Sequence, residues 1–93
     1  MPAYLTILLD VHDPSWLGDY VVPTRAIAER HGARYLAAGT EVEHVEGDGA
    51  VPDSVVLIEF PDRASAKAFL DDPDYKPLKA LRQAGSTGNF YLV

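Results

Sequence analysis

Arg34, His44, Glu59, Tyr20 and Tyr75 are the side chains of this 93-residue chain whose types and settings suit work on a small molecule. Arg34 opens a short apolar run, Arg34-Tyr35-Leu36-Ala37-Ala38, where its guanidinium offers a planar fork of donors to a carboxylate or enolate. An ion pair with Glu59 or Glu46 that braces a sheet is the competing role. Glu59 is the one charge within Val55–Phe60, and partial burial raises a carboxyl pKa and fits it for general base work. Its alternation also suits pairing with a basic residue across an interface. His44 stands in a charged segment, Val42-Glu43-His44-Val45-Glu46, as a base or as an ordinary surface histidine. Tyr20 and Tyr75 suit core aromatics with satisfied hydroxyls better than catalytic acids. Glu43, His44 and Glu46 form a local ligand set with no second histidine nearby, so no metal is expected.

What is missing bounds the chemistry further. There is no cysteine, hence no thiol nucleophile, thiolate metal site or disulfide scaffold. No glycine-rich phosphate loop and no Gly-x-Ser-x-Gly elbow is present. An enzyme built on these residues would work without a bound organic cofactor, by proton transfer or substrate-assisted oxidation of a small apolar acid or phenol. The net charge of −6 argues against a nucleic-acid partner, since phosphate binding needs a basic patch. The one weak basic cluster, Lys76, Lys79 and Arg82, fits the solvent face and C-terminal end of a helix, where cations suit the dipole. No signal peptide and no bilayer-spanning apolar run is evident, so the expected setting is the cytoplasm, with no membrane partner.

The elements that must position these groups follow from pattern. With 47% hydrophobic and 24% charged residues, the chain is expected to form one globular domain over residues 1–93. Val55–Phe60 is β-branched and apolar, and Pro61 ends it because proline cannot donate to a ladder. Asp62 stands as a helix N-cap before good helix formers, and Asp72-Pro73 closes that helix. Ala3–Val11 reads as a first strand with Leu5, Ile7, Leu9 and Val11 on one face. Asp13-Pro14 starts a helix running to about His31, with Gly32 as its left-handed stop. Leu17, Tyr20, Val21, Thr24, Ile27, Ala28 and His31 form its buried stripe, and Pro23 predicts a kink or a split. Arg34–Ala38 is a second strand that resumes over Val42–Glu46, with Gly39 marking a bulge or tight turn. Asp74–Ala84 is a last helix stopped by Gly85, Ser86–Gly88 a turn, and Asn89–Val93 a fourth strand.

The order β-α-β-β-α-β is the ferredoxin-like α+β arrangement: a four-stranded antiparallel sheet with its helices on one face. With Leu5, Ile7, Leu9, Val56, Ile58 and Phe60 facing the helices, the other face holds Thr6, Leu8, Val55 and Leu57. A water-facing sheet is mostly polar, and this face is half apolar. A homodimer packed sheet to sheet is the expected cover.

Three stretches carry a family resemblance: Gly32-Ala33-Arg34-Tyr35-Leu36-Ala37-Ala38-Gly39, Val56-Leu57-Ile58-Glu59-Phe60-Pro61, and Asp72-Pro73-Asp74-Tyr75 with Leu78-Lys79-Ala80-Leu81-Arg82. Together they resemble the small bacterial proteins known as domain of unknown function 1330. Ala33 stands where that family usually has a second glycine. The resemblance implies the dimeric α+β barrel fold, shared with antibiotic-biosynthesis monooxygenases, muconolactone isomerases and YciI-like proteins, and it implies no established reaction. In those barrels the small-molecule pocket lies between each monomer's sheet and helices. By that resemblance Tyr20, Arg34 and Tyr75 are the ligand-binding candidates, His31 is a further polar group for such a cavity, and His44 and Glu59 are the groups to move a proton. Two functions are carried forward: a cofactor-free isomerase or oxygenase-like enzyme, and a non-catalytic ligand-binding or stress-related homodimer.

Overall fold

The computed structural model describes residues 1–93. Strand β1, Ala3–Val11, alternates as the sequence predicts: Ala3, Leu5, Ile7 and Leu9 are buried, while Tyr4, Thr6 and Leu8 keep partial exposure. After it, the Asp13 carboxylate accepts from the Ser15 amide at 2.9 Å, and Pro14 opens a 3-10 turn over Pro14–Trp16. That turn feeds helix α1, Leu17–Arg30. Of the kink or split expected at Pro23, the split does not occur: Pro23 lies inside α1, and the helix runs through it. Asp19, Val22 and Pro23 are all exposed, so water can serve the Asp19 carbonyl that proline leaves without a donor.

Gly32 ends the α1 segment at φ +83, and a Cβ there would meet Pro61 Cγ at 2.6 Å, so both backbone and packing require glycine. Strand β2 covers Arg34–Gly39 with an irregularity between Tyr35 and Ala37. The expected continuation over Val42–Glu46 is not a strand. Its partner β3, Ser54–Phe60, pairs Val55 with Gly39 and begins one residue earlier, leaving nothing for residues beyond Gly39 to pair with. Residues 40–53 form an irregular connection whose end is fastened to β1: Val11 N donates to Asp53 Oδ2 at 2.8 Å, and Asp53 N to Asp10 Oδ1 at 3.2 Å.

Helix α2, Arg63–Leu70, is capped by Asp62, which accepts from Ser65 N at 2.7 Å. Helix α3 spans Lys76–Gly85 and passes directly into β4, Ser86–Leu92. The turn expected at Ser86–Gly88 is therefore the start of the strand. The Gly85 carbonyl accepts from both His12 N and Asp13 N, at 2.8 and 3.0 Å, so the helix already ends beside β1 and no reversal is needed.

The strands form one antiparallel sheet in the order β2-β3-β1-β4, with the helices against one face. This is the α+β, ferredoxin-like architecture. Its core sets Leu5, Ile7, Ile58 and Phe60 of the sheet against Ile27, Ala28, Ala66, Phe69 and Tyr75. The opposite face carries Thr6, Leu8, Val55 and Leu57, all part-exposed, with Tyr91 at 58% exposure beside them.

Candidate functional site

The helix-facing side of the sheet does not close completely on α1. Ile7, Leu9, Val56 and Ile58 form one wall of a cavity of about 450 Å³, and Leu17, Tyr20, Val21 and Thr24 of α1 form the other. Val21 belongs to the apolar stripe of α1 yet is 50% exposed, because it borders this space and not a packed partner. Most lining side chains are apolar, as in ligand pockets generally.

The polar groups are few. The hydroxyls of Tyr20 and Tyr75 meet at 2.9 Å, joining α1 to the segment before α3. Burial, and then the neighbouring Tyr75, push the Tyr20 phenol far above its ordinary pKa, while Arg82 works the other way. Tyr35 is likewise pushed up by burial, against the pull of Arg25. Neither phenol is poised to be a base near neutrality.

Arg82 departs from the solvent-face position that its neighbours Lys76 and Lys79 suggest. It is only 6% exposed and lines the cavity, its guanidinium stacked 4.3 Å over the Phe90 ring. It does not belong to a solvent face with Lys76 and Lys79. The signal was its spacing: Leu78, Arg82 and Gly85 share the inward face of α3, and Tyr75 precedes Arg82 by two turns. No carboxylate pairs with Arg82, and its Nε has no hydrogen-bond partner. The buried Thr24 hydroxyl is also without one. A second arginine on the lining, Arg25, is stacked 4.2 Å over Tyr35.

Of the ligand-binding candidates, Tyr20 and Tyr75 come together in the cavity wall and Arg34 does not reach it. Arg34 stands opposite Glu59 across β2 and β3, on the far face of the sheet, and pairs with it at 3.3 Å with its side chain 73% exposed. The bracing pair is the one observed. Glu59 shares that far face and is likewise off the cavity. His44 is exposed in the 40–53 connection. His31 bonds Asp72 at 2.8 Å and His12 bonds Thr87 at 2.7 Å, both outside the cavity.

The family model described as "Domain of unknown function (DUF1330)" matches residues 2–93. The chain belongs to that family. No curated protein matches its sequence significantly. Among solved structures, this DUF1330 chain is similar to a protein of unknown function from Rhodopseudomonas palustris, with 19% identity, a TM-score of 0.80, and coverage of 99% of this chain and 80% of that one. It is similar to SnoaB, a cofactor-independent oxygenase from Streptomyces nogalater, with 18% identity, a TM-score of 0.68, and coverage of 99% and 90%. A dimeric ferredoxin-like protein of unknown function from Jannaschia sp. CCS1 gives 14% identity, a TM-score of 0.59, and 98% of each chain. At such identities the likeness shows the fold alone. No helix of the DUF1330 chain is long and apolar enough to cross a membrane.

Proposed function

We propose that this chain is a homodimeric small-molecule-binding protein whose cavity takes a small apolar acid or phenol. The observation that carries the reading is the cavity of about 450 Å³ between sheet and α1, apolar over most of its wall and provided with a hydroxyl pair, Tyr20–Tyr75, on one side. A ligand body fits the Ile7, Leu9, Val56 and Ile58 wall, and an oxygen finds donors among the tyrosines.

A cofactor-free isomerase or oxygenase-like enzyme is the second reading. The likeness to a cofactor-independent oxygenase favours it. The lining works against it, because it contains no histidine, aspartate or glutamate to take a proton. Self-association is favoured by the half-apolar sheet face and by the dimeric ferredoxin-like relative.

Native mass spectrometry of gently purified protein tests the whole reading. The expected species is a dimer carrying a small organic mass, which a cavity-filling Ala38→Phe variant loses. An adduct unaffected by Ala38→Phe, or a wild-type protein that no small apolar acid or phenol stabilises against heating, would overturn the cavity as the site.

A further inference from the structure

We propose that Arg82 anchors an anion subsite in this cavity, so that the ligand binds as a carboxylate or enolate with its oxygens on the guanidinium. This rests on the small-molecule reading above and adds the charge state and the anchoring residue to it.

Arg82 carries a buried charge with no carboxylate beside it. A guanidinium taken out of water is retained only where something compensates it. Arg82 is buried, the ion pairs of the chain all lie elsewhere, and its Nε meets no acceptor. The Phe90 ring covers one face of the guanidinium and supplies no acceptor in its plane, where the buried Nε–H is left unsatisfied. Gly88 keeps the space around it open, since a Cβ there would come within 3.3 Å of Arg82 Nη1.

Charge is also unevenly distributed between the surface and the cavity. The chain carries 14 acidic residues and a net charge of −6, yet none of the acids lines the cavity, whereas Arg82 and Arg25 both do. A positive wall inside an acidic protein selects anions from solution. The buried, unpartnered Thr24 hydroxyl, also on the lining, supplies a neutral donor beside the charged ones. A planar fork facing an apolar slot is complementary to a carboxylate on a hydrophobic body.

The test compares 3-phenylpropionate with its neutral isostere 3-phenylpropionamide. Trp16, the chain's single tryptophan, lines the cavity, so its fluorescence reports binding, with calorimetry as the second readout. The acid is expected to bind about tenfold to a hundredfold more tightly than the amide, the span for hydrogen bonds to a charged group. Arg82→Gln should abolish that preference, with the acid losing more affinity than the amide. Arg82→Lys, which keeps the charge and loses the fork, should retain a reduced preference. If wild-type protein binds acid and amide equally, the anion subsite is wrong and the small-molecule reading stands. If neither compound perturbs Trp16 or gives heat, the small-molecule reading falls and the subsite with it. The wild-type comparison decides the matter even where Arg82→Gln does not fold.

Discussion

The Tyr20 hydroxyl lies 2.9 Å from the Tyr75 hydroxyl across 55 residues of chain, tying α1 to the α2–α3 connection at the cavity wall. Tyr75 is fully buried, so removing the Tyr20 hydroxyl strands a polar atom in an apolar setting. Tyr20→Phe and Tyr75→Phe should each cost about 1–2 kcal/mol. The double variant should lose less than their sum, because no orphaned hydroxyl remains. Urea unfolding of the four proteins measures the coupling, and strictly additive losses would mean that the two hydroxyls act independently.

Gly85 packs against Trp16, which lines the cavity. A Cβ at this position would overlap Trp16 Cδ1 and come within 2.7 Å of the Asp13 carbonyl oxygen. One of the two contacts is backbone, and Trp16 is itself buried, so neither can yield cheaply. Gly85→Ala is expected to destabilise by about 1–3 kcal/mol, the range for overpacking. A shift of the Trp16 emission spectrum should accompany the loss. An unchanged melting temperature would show that the α3–β4 junction has more room than the packing implies.

Much of this fold is legible in the residues. Alternation in Ala3–Val11 and Val55–Phe60, the Asp13 and Asp62 caps, and Gly32 each name a local preference that the tertiary structure keeps. The exceptions are positions where long-range pairing decides. Val42–Glu46 has strand character but finds no partner beyond Gly39, and Ser86–Gly88 reads as a turn but pairs with Leu9–Val11. The candidate site was less legible. Tyr20 and Tyr75 could be singled out as aromatics with polar ends, but an arginine beside lysines looks solvated until α3 is seen turned inward. The spacing to Leu78 and Gly85 held that information, and charge hid it.

Asp72 makes the chain sensitive to acid. It accepts from His31 Nε2 at 2.8 Å and from the Asp74 amide at 2.9 Å, with Arg30 Nη2 at 3.4 Å. The His31 bond first, then the Asp74 amide, hold its carboxyl below the ordinary value. With the folded value depressed below an unfolded value of about 3.9, the unfolded chain binds the proton more tightly. The stabilisation is therefore fully present above about pH 4 and is lost as pH falls through the lowered folded value. Stability of Asp72→Asn should decline less than that of wild type between about pH 5 and about pH 2. Parallel acid limbs in chemical unfolding would remove Asp72 from the account.

Arg34 and Glu59 give a contrasting expectation. Their pair is solvent-exposed on the arginine side and lies away from the cavity. Arg34→Ala should change stability by no more than about 1 kcal/mol. It should leave the affinity for 3-phenylpropionate as in wild type, and a tenfold loss would return Arg34 to the binding site.

The far face of the sheet supplies the test of self-association. Across β1 and β3, Leu8 stands opposite Val55 and Thr6 opposite Leu57, so the apolar groups form a compact patch and not a scattered set. A second copy related by a two-fold axis meets each substitution twice. Leu57→Lys would then bury two like charges near the centre of the contact, an arrangement that costs several kcal/mol at least. Within the single chain the same lysine stays part-exposed and reaches water, so the fold itself should tolerate it. Sedimentation at micromolar concentration should therefore show a wild-type dimer and a folded Leu57→Lys monomer. A variant that remains dimeric would place the interface elsewhere, and a wild-type monomer would leave this half-apolar face for water to cover.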